Sequence, residues 1–336
     1  MTYNKKFTGI ALAAVLLAAP AQGAEEVTVR YSNWLPQGLV FNKDVMTPWI
    51  ADVERVTEGR VNIETTPKVV GSVAGQYDVV TDGLADLVFY LPGYTPGRFP
   101  LLDGLELPLL SDDPHVRCTG MWKAYEQFIA PTDAFSDSKV LGVFCASAGQ
   151  IALTNKEIKS ADDLKGLKIR AANPSTAHAL ELLGASPVSK PASEIYELVS
   201  GGVIDGAVIP LDSLVDFKLE GPLKKVGELP GGMMSTVIIV AMSKDAWAKI
   251  SPEDQKAIEG VSGLALADRA ATALVAATEA ARTKLKDAGV EVYTLDNAVV
   301  QDLTKTLAPV RANWIELAKT NGLADPEAML ALFEKK

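Results

Sequence analysis

The chain has 336 residues, 48% of them hydrophobic and 22% charged, and a formal net charge of −10. This length suffices for two lobes or one large domain, and so acidic a chain argues against nucleic acid and anionic lipid as partners. A small anionic ligand is not excluded, because one buried cation can reverse the local potential.

The chain begins with a predicted secretory signal peptide. Lys5 and Lys6 give it a basic start, an apolar run covers 10–20, and "AQGAEE" offers small residues for cleavage before Ala24. Removal of 1–23 takes the formal charge to −12. No later stretch reaches the roughly 20 uninterrupted apolar residues of a membrane span, so we expect an exported, periplasmic protein without direct membrane insertion.

The first half of the mature chain alternates strand and helix patterns. The stretch "VTVRYSNW" predicts a strand, and Val45, Trp49, Val53 and Val56 then recur at helical spacing until Gly59. A strand, a short helix and a strand are predicted next at "VNIETT", "AGQYDVVTDG" and "ADLVFYL". This alternation predicts a parallel sheet covered by helices.

Two cysteines lie in neighbouring elements. Cys118 is near the start of a predicted helix, and Cys145 is near the end of the strand "KVLGVFCASAG". If the two elements pack antiparallel, about ten helical residues at ~1.5 Å match about five strand residues at ~3.3 Å, which brings the cysteines together. An oxidising compartment favours a disulfide, and two separate buried thiols are the alternative.

The alternation resumes after Cys145 and ends in a long helix. Strands are predicted at "LKIRAA", "SPVSK" and "IDGAVIP", and "GGMMSTVIIVAMSK" predicts an eight-residue apolar strand buried on both faces. Ser251 and Pro252 then open a helical pattern that runs to about Ala288. At ~1.5 Å per residue this helix would be ~55 Å long, enough to bridge two lobes.

One arginine stands out within "GLKIRAANP". Arg170 is the only permanent cation at the end of its predicted strand, and Ala171 and Ala172 leave room beside it. A guanidinium can bind a carboxylate through two parallel hydrogen bonds, and open α/β sheets bind ligands at strand ends. We therefore predict that Arg170 binds a ligand carboxylate; the alternative is a salt bridge to an acid such as Asp205.

Motifs for catalysis are absent from the sequence. His115 and His178 are its two histidines, and no zinc motif, nucleophile elbow, phosphate-binding loop or dinucleotide-binding motif occurs. We therefore predict no catalytic residue, no cofactor and no metal. An exported enzyme that uses a pair of carboxylates is the alternative.

Several motifs together resemble one family, the periplasmic solute-binding proteins of TRAP (tripartite ATP-independent periplasmic) transporters. They are "LKGLKIR", "GASPV", "SEIYELVSGGVIDGA" and "PGGMMSTVIIVAMSKDAWAKISPEDQKAI". The resemblance implies an α/β, two-lobed clamshell of the type II-like periplasmic-binding-protein fold, with mixed, mostly parallel sheets and a long helix spanning both lobes. It also implies an organic-acid ligand and, as partners, the small and large TRAP membrane subunits.

We expect discontinuous lobes, because the chain crosses near Ala148, near Ser235 and within the long helix. Lobe I would comprise 24–148 plus 235–275, and lobe II 149–234 plus 276–336. The family's carboxylate-binding arginine falls on Arg170. Three departures from its sialic-acid binders, at Gln150, Ala192 and Ile209, lower polarity or add space. The resemblance therefore implies a monocarboxylate, with 2-oxo, aromatic and short aliphatic acids as the candidates.

Further ligand-binding candidates flank the predicted crevice. Asn173, Asn33, Trp34, Tyr90 and Tyr94 stand at strand ends, where their alternatives are turn, interlobe or core packing. Gln150 and Arg98 are candidates for a second anion donor, and their alternatives are a plain crossover residue and a loop anchor. Met233 or Met234 is a candidate for an apolar wall, with core packing as the alternative. The acid itself, the oligomeric state, and supply of a signalling receptor instead of a transporter stay open.

Overall fold

The computed structural model describes residues 1–2 and 26–334, so the predicted signal peptide lies outside the described residues apart from its first two. Eleven strands are described there. They are β1 (Val27–Ser32), β2 (Val61–Thr65), β3 (Leu87–Tyr90), β4 (Ser138–Cys145), β5 (Gln150–Leu153), β6 (Lys168–Ala171), β7 (Ser186–Ser189), β8 (Gly206–Ile209), β9 (Lys225–Glu228), β10 (Val237–Ser243) and β11 (Glu291–Thr294).

Eleven α-helices of the described residues cover these strands. They are α1 (Thr47–Val56), α2 (Gln76–Thr81), α3 (Pro114–Ala124), α4 (Pro174–Leu182), α5 (Ile195–Ser200), α6 (Leu211–Asp216), α7 (Lys244–Lys249), α8 (Pro252–Val261), α9 (Leu264–Asp287), α10 (Asn297–Thr320) and α11 (Pro326–Leu330). Short π-helical turns adjoin α1 and α3, at Phe41–Met46 and Tyr125–Ile129.

The strands form two mixed sheets, and each sheet is the centre of one lobe. The first sheet has the order β2-β1-β3-β10-β4, with β10 antiparallel to both neighbours. The second has the order β11-β9-β5-β8-β6-β7, with β5 antiparallel to both neighbours. The other pairs in both sheets are parallel, which confirms the predicted two-lobed α/β fold with mixed sheets.

The chain passes between the sheets along two adjacent segments. The link from β4 to β5 runs beside the link from β9 to β10, and the two pair through Gly149 and Met234. Gly149 N–H donates to the Met234 carbonyl at 2.9 Å, and Met233 N–H donates back to the Gly149 carbonyl at 2.8 Å. A third passage leads from β10 through α7, α8 and α9 to β11. Two neighbouring crossings of this kind permit rotation of one lobe against the other.

The predicted long helix is wrong in one respect, because it is broken. α8 ends at Val261 and α9 begins at Leu264, with Gly263 between them at φ +56°. A Cβ at Gly263 would lie 2.6 Å from the Trp122 ring, so this close approach requires glycine. α9 alone has 24 residues, or ~36 Å, and it still contacts both lobes, through α3 and β4 and through α6 and β11.

Burial explains the apolar strand near the lobe crossing. β10 has seven residues instead of the predicted eight, and all seven are buried between β3 and β4. The segment Pro252–Asp287 is also long and apolar enough to pass as a membrane span by length and composition, but in this fold α9 packs on both lobes. Two strands, β9 and β11, and the 24-residue helix α10 were not predicted.

The predicted disulfide between Cys118 and Cys145 is confirmed. It joins α3 to the end of β4 with a Cα–Cα distance of 4.5 Å, and both cysteines are fully buried. The bond closes a loop across 27 positions of sequence. It therefore stabilises the lobe whose strand β4 leads into the first crossing.

Loss of this disulfide should lower the free energy of unfolding. For the Cys118→Ala/Cys145→Ala double variant we expect a loss of about 3.5 kcal/mol, because the unfolded chain regains the entropy of an open loop. Denaturant unfolding of wild type and double variant, each with and without a reductant, measures it. The reductant should destabilise the wild type alone; equal stability of all four samples would contradict this prediction.

Candidate functional site

A cavity lies between the two lobes, where the parallel strands of each sheet end. β1 and β3 end there in the first lobe, and β6 and β8 end there in the second, as expected for ligand sites in α/β sheets. The lining residues are Trp34, Leu35, Leu39, Phe41, Phe89, Leu91, Tyr94, Ala146, Arg170, Ala172, Ala192, Ile209, Pro210, Ser213, Phe217, Met234, Thr236 and Ile238.

Arg170 is the charged residue in this lining. It is the last residue but one of β6, and only 2% of its surface is exposed. Its Nε donates to the Lys190 carbonyl at 2.7 Å and its Nη1 donates to the Val208 carbonyl at 3.3 Å. Its Nη2 is buried and has no hydrogen-bond partner among the described residues. The backbone therefore fixes two sides of the guanidinium and leaves a third free to donate.

The alternative salt bridge to Asp205 does not form. The Asp205 carboxylate instead accepts a hydrogen bond from Lys168 N–H at 2.8 Å. Within the described part of the chain no carboxylate lies within 4.0 Å of Arg170. Burial lowers the pKa of Arg170, and the adjacent Tyr94 hydroxyl opposes that shift. The side chain is a cation whose opposite charge is not supplied by a neighbouring acid.

Tyr94 links the lobes across this cavity. It lies at the end of a short 3₁₀ turn after β3, Pro92–Tyr94, and its hydroxyl accepts a hydrogen bond from Ala192 N–H at 3.1 Å. The phenol proton remains available, because the hydroxyl acts as an acceptor in that contact. Tyr94 therefore adds a second donor near Arg170 and holds the lobes together at the same point.

Aromatic rings form much of the remaining wall. The Trp34 ring lies 6.0 Å from Phe89 and 6.5 Å from Tyr94, between ring centroids. Trp34 Nε1 donates to the Phe89 carbonyl at 2.9 Å, so its indole is held in place and its own donor is satisfied. Phe41 packs on Phe89 at 5.7 Å, and Phe217 lines the cavity from the second lobe. Such walls suit an apolar, flat ligand body.

The structure brings four of the predicted ligand-binding residues together in this lining. They are Arg170, Trp34, Tyr94 and Ile209, and Ala192 joins them as a predicted departure from the family pattern. Ile209 ends β8 and is 1% exposed.

Asn173 and Gln150 do not line the cavity, and their side chains form hydrogen bonds with backbone groups instead. Asn173 caps α4, where its side-chain oxygen accepts from Thr176 N–H at 2.8 Å, and its amide donates to the Ser235 carbonyl at 2.9 Å. The Gln150 side-chain oxygen accepts from Leu229 N–H at 2.8 Å. Both residues therefore join segments at the lobe crossing.

Asn33 and Tyr90 also lie outside the lining. The Asn33 side-chain oxygen accepts from Leu35 N–H at 2.9 Å, and its amide donates to the Asn42 side chain at 3.4 Å. The Tyr90 ring packs 5.4 Å from Tyr77 in the core of the first lobe, where burial raises the pKa of its phenol well above the usual value. These residues support the elements that carry the cavity.

Met233 and Arg98, the two remaining candidates, also lie outside the lining. Met234 lines the cavity, whereas Met233 is fully buried outside it. Arg98 pairs with Asp78 at 2.5 Å and lies 4.4 Å above the Tyr77 ring. It therefore anchors its loop, which was the alternative to a role as anion donor.

Several lining residues were not predicted. Phe41 and Phe217 belong to segments whose apolar spacing is typical of helices packed on a core, and that pattern does not separate a core face from a cavity face. Thr236 and Ile238 belong to the strand that was assigned to burial on both faces. Their alternate spacing, which places Thr236 and Ile238 on one face of the extended chain, was the signal in the sequence that could have indicated a shared cavity wall. Across residues 26–334 no cluster of three or more His, Cys, Asp or Glu could hold a metal ion.

Comparison with known proteins agrees with this geometry. Residues 32–317 match the DctP family, described as bacterial extracellular solute-binding protein, family 7. The fold superposes on a TRAP periplasmic solute-binding protein from Bordetella bronchiseptica with bound (R)-mandelate and (S)-mandelate, with a TM-score of 0.88 and 35% identity, over 91% of this chain and 97% of that one.

Two other solved structures are similar. One is a marine metagenome TRAP solute-binding protein specific for aromatic acid ligands, in complex with metahydroxyphenylacetate, with a TM-score of 0.85 and 30% identity over 92% of this chain and 97% of that one. The other is a TRAP solute-binding protein from Rhodoferax ferrireducens in complex with copurified benzoate. It has a TM-score of 0.85 and 27% identity, over 91% of this chain and 96% of that one. The chain belongs to the DctP family of TRAP periplasmic solute-binding proteins.

Proposed function

We propose that this protein captures an aromatic monocarboxylate between its lobes and delivers it to TRAP membrane subunits. One observation carries the proposal: Arg170 lines an aromatic cavity, and its buried Nη2 has no hydrogen-bond partner in the described chain. A buried cation is costly unless it is paired, and a ligand carboxylate supplies both the missing charge and the missing acceptor.

A second buried arginine shows the contrast. Arg117, on α3, is 1% exposed, and burial lowers its pKa to about 10. The acids Asp112, Asp212 and Asp113 lie near enough to oppose that shift. Arg117 forms no ion pair within 4.0 Å among the described residues, and its Nε is also without a partner, but three acids surround it at longer range. At Arg170 the side chain that opposes the shift is the neutral Tyr94. The opposite charge for Arg170 is expected from outside the chain.

The walls support an aromatic ligand body. A single cation and apolar walls fit one carboxylate on one ring better than a dianion or a polyhydroxylated acid, whose extra polar groups would lose hydration without a partner. The similar proteins with bound mandelate, metahydroxyphenylacetate and benzoate support the same ligand class. Ala192 and Ile209 keep the second-lobe wall apolar.

The other predicted residues have supporting roles in this proposal. Asn33, Asn173, Gln150, Tyr90 and Met233 hold the frame around the cavity. Lobe boundaries at 24–148 plus 235–275 and 149–234 plus 276–336, and export with cleavage before Ala24, complete the proposal. Supply of a signalling receptor is the alternative use of the same clamshell, and neighbouring genes for small and large permease subunits would favour transport.

Arg170 should control affinity for aromatic acids. We expect Arg170→Ala to weaken benzoate or mandelate binding by over a hundredfold, since loss of one partner of a buried ion pair costs about 3–5 kcal/mol. Arg170→Lys should also bind weakly, because a lysine lacks the planar fork. Isothermal titration calorimetry of the mature protein measures both variants.

Arg98→Ala is the matched control for charge, because it removes a cation that lies outside the cavity and pairs with Asp78. Its affinity should equal that of the wild type. Tight binding by Arg170→Ala, or an equal loss in Arg98→Ala, would overturn the assignment of Arg170.

Closure of the lobes should depend on Gly93. A Cβ at Gly93 would lie 2.6 Å from the Asn173 Cβ and 2.7 Å from a Glu106 side-chain oxygen, at a contact between the lobes. We expect Gly93→Ala to weaken ligand binding at least tenfold without contacting the ligand, because the closed form must shift to admit the methyl group.

Small-angle X-ray scattering with saturating ligand should show a more open Gly93→Ala particle than the wild type. Gly221→Ala is the matched control, since a Cβ there meets nothing within 4 Å. Wild-type affinity and compaction in Gly93→Ala would contradict the closed contact.

A further inference from the structure

Thr236 carries a second unpartnered polar group in the cavity lining. It is 4% exposed, and its Oγ1 is buried without a hydrogen-bond partner in the described chain. It stands immediately before β10, two positions from Ile238, which also lines the cavity. Alternate residues of an extended chain share one face, so the side chains of Thr236 and Ile238 both face the cavity.

The Thr236 hydroxyl forms none of the hydrogen bonds that join the crossing segments of the described chain. The Thr236 backbone carbonyl accepts a hydrogen bond from Ala146 N–H at 3.1 Å, and this bond already joins the two crossing segments. Both polar atoms of the Asn173 side chain and the side-chain oxygen of Gln150, close to the same crossing, are by contrast hydrogen-bonded to backbone groups. A buried hydroxyl that stays unpaired costs free energy. Thr236, unlike the equally unpartnered Ser235, lines the cavity, so a bound ligand can supply its partner.

In the proposed function the ligand carboxylate has two hydrogen-bond donors without Thr236. Arg170 Nη2 and the proton of the Tyr94 hydroxyl supply a donor for each of its two oxygens. A hydroxyl both donates and accepts, and it carries no charge. The partner that fits Thr236 is therefore a neutral hydroxyl or carbonyl oxygen elsewhere on the ligand.

We infer that Thr236 is a specificity-determining residue that binds this neutral oxygen, so that the preferred ligand is an aromatic acid with a hydroxyl or oxo substituent. This inference rests on the proposed function. A site built to hydrogen-bond a ligand oxygen rejects the analogue that lacks it, because closure then leaves the protein group dry and unpaired. The substituent could stand beside the carboxylate or on the ring, and the test below separates the two positions.

Three probe acids differ only in this oxygen: phenylacetate has none, mandelate has a hydroxyl beside the carboxylate, and 3-hydroxyphenylacetate has one on the ring. We expect the wild type to bind one of the two hydroxy acids about ten to a hundred times more tightly than phenylacetate. The preferred acid gives the position of the substituent. Calorimetric titration of the mature protein measures all three affinities.

Thr236→Val keeps the shape of the side chain and removes the hydroxyl. We expect its affinity for the preferred hydroxy acid to fall about ten- to a hundredfold, while its affinity for phenylacetate stays equal or rises, because closure no longer buries an unpaired hydroxyl. A structural defect would weaken both acids together. Thr236→Ser, which keeps a hydroxyl, should retain the preference.

Ser235→Ala is the matched control. Its hydroxyl is also buried and unpartnered among the described residues, but Ser235 does not line the cavity. Equal wild-type affinities for the three acids, or a preference that survives in Thr236→Val, would overturn the inference and leave the proposed function standing. Failure of all three acids to bind the wild type would instead overturn the proposed function.

Discussion

The arrangement of the lobes in this structure is constrained by one buried cation, Arg170, that has no acidic side chain beside it. Two carbonyl groups orient the Arg170 guanidinium, but carbonyl dipoles compensate only part of the hydration that a charge loses on burial. The remaining cost falls on the closed state, because opening the lobes would return the guanidinium to water. Under the proposed function an anionic ligand would remove that cost, so the interaction that binds the ligand would also stabilise closure.

The fold separates this cation from the polar groups that hold the lobes in register. The side chains of Asn173 and Gln150 form hydrogen bonds with backbone groups near the crossing segments. The cavity behind them is left with apolar walls, one arginine and a few hydroxyls. In such a space an additional polar group on a ligand would lose its hydration and find few hydrogen-bond partners. Selectivity among acids would therefore depend on the lack of polar groups in the walls as much as on the proposed contact with Arg170.

Sequence patterns predicted the parts of this arrangement that have a local signature. A cation at a strand end, Arg170, and two cysteines in adjacent elements, Cys118 and Cys145, are visible in a short window. The side on which Asn173 and Gln150 find their partners depends on segments about 60 to 80 positions away, so their structural contacts could not be predicted. The break at Gly263 was missed because an alanine-rich helical pattern continues across it and its cause, the Trp122 ring, comes from another helix.

The aromatic wall shows why a binding site is harder to predict than a core. Phe41 and Phe217 come from opposite lobes, and each has the spacing of a residue that packs inside its own lobe. They become a ligand surface only when the lobes meet, a relation that no periodicity contains. Arg170 differs because a buried guanidinium requires a partner, whereas an aromatic ring packs equally well in a core or in a cavity wall. Polar groups that are buried without partners and also line the cavity, Arg170 and Thr236, are therefore the better guide to this site.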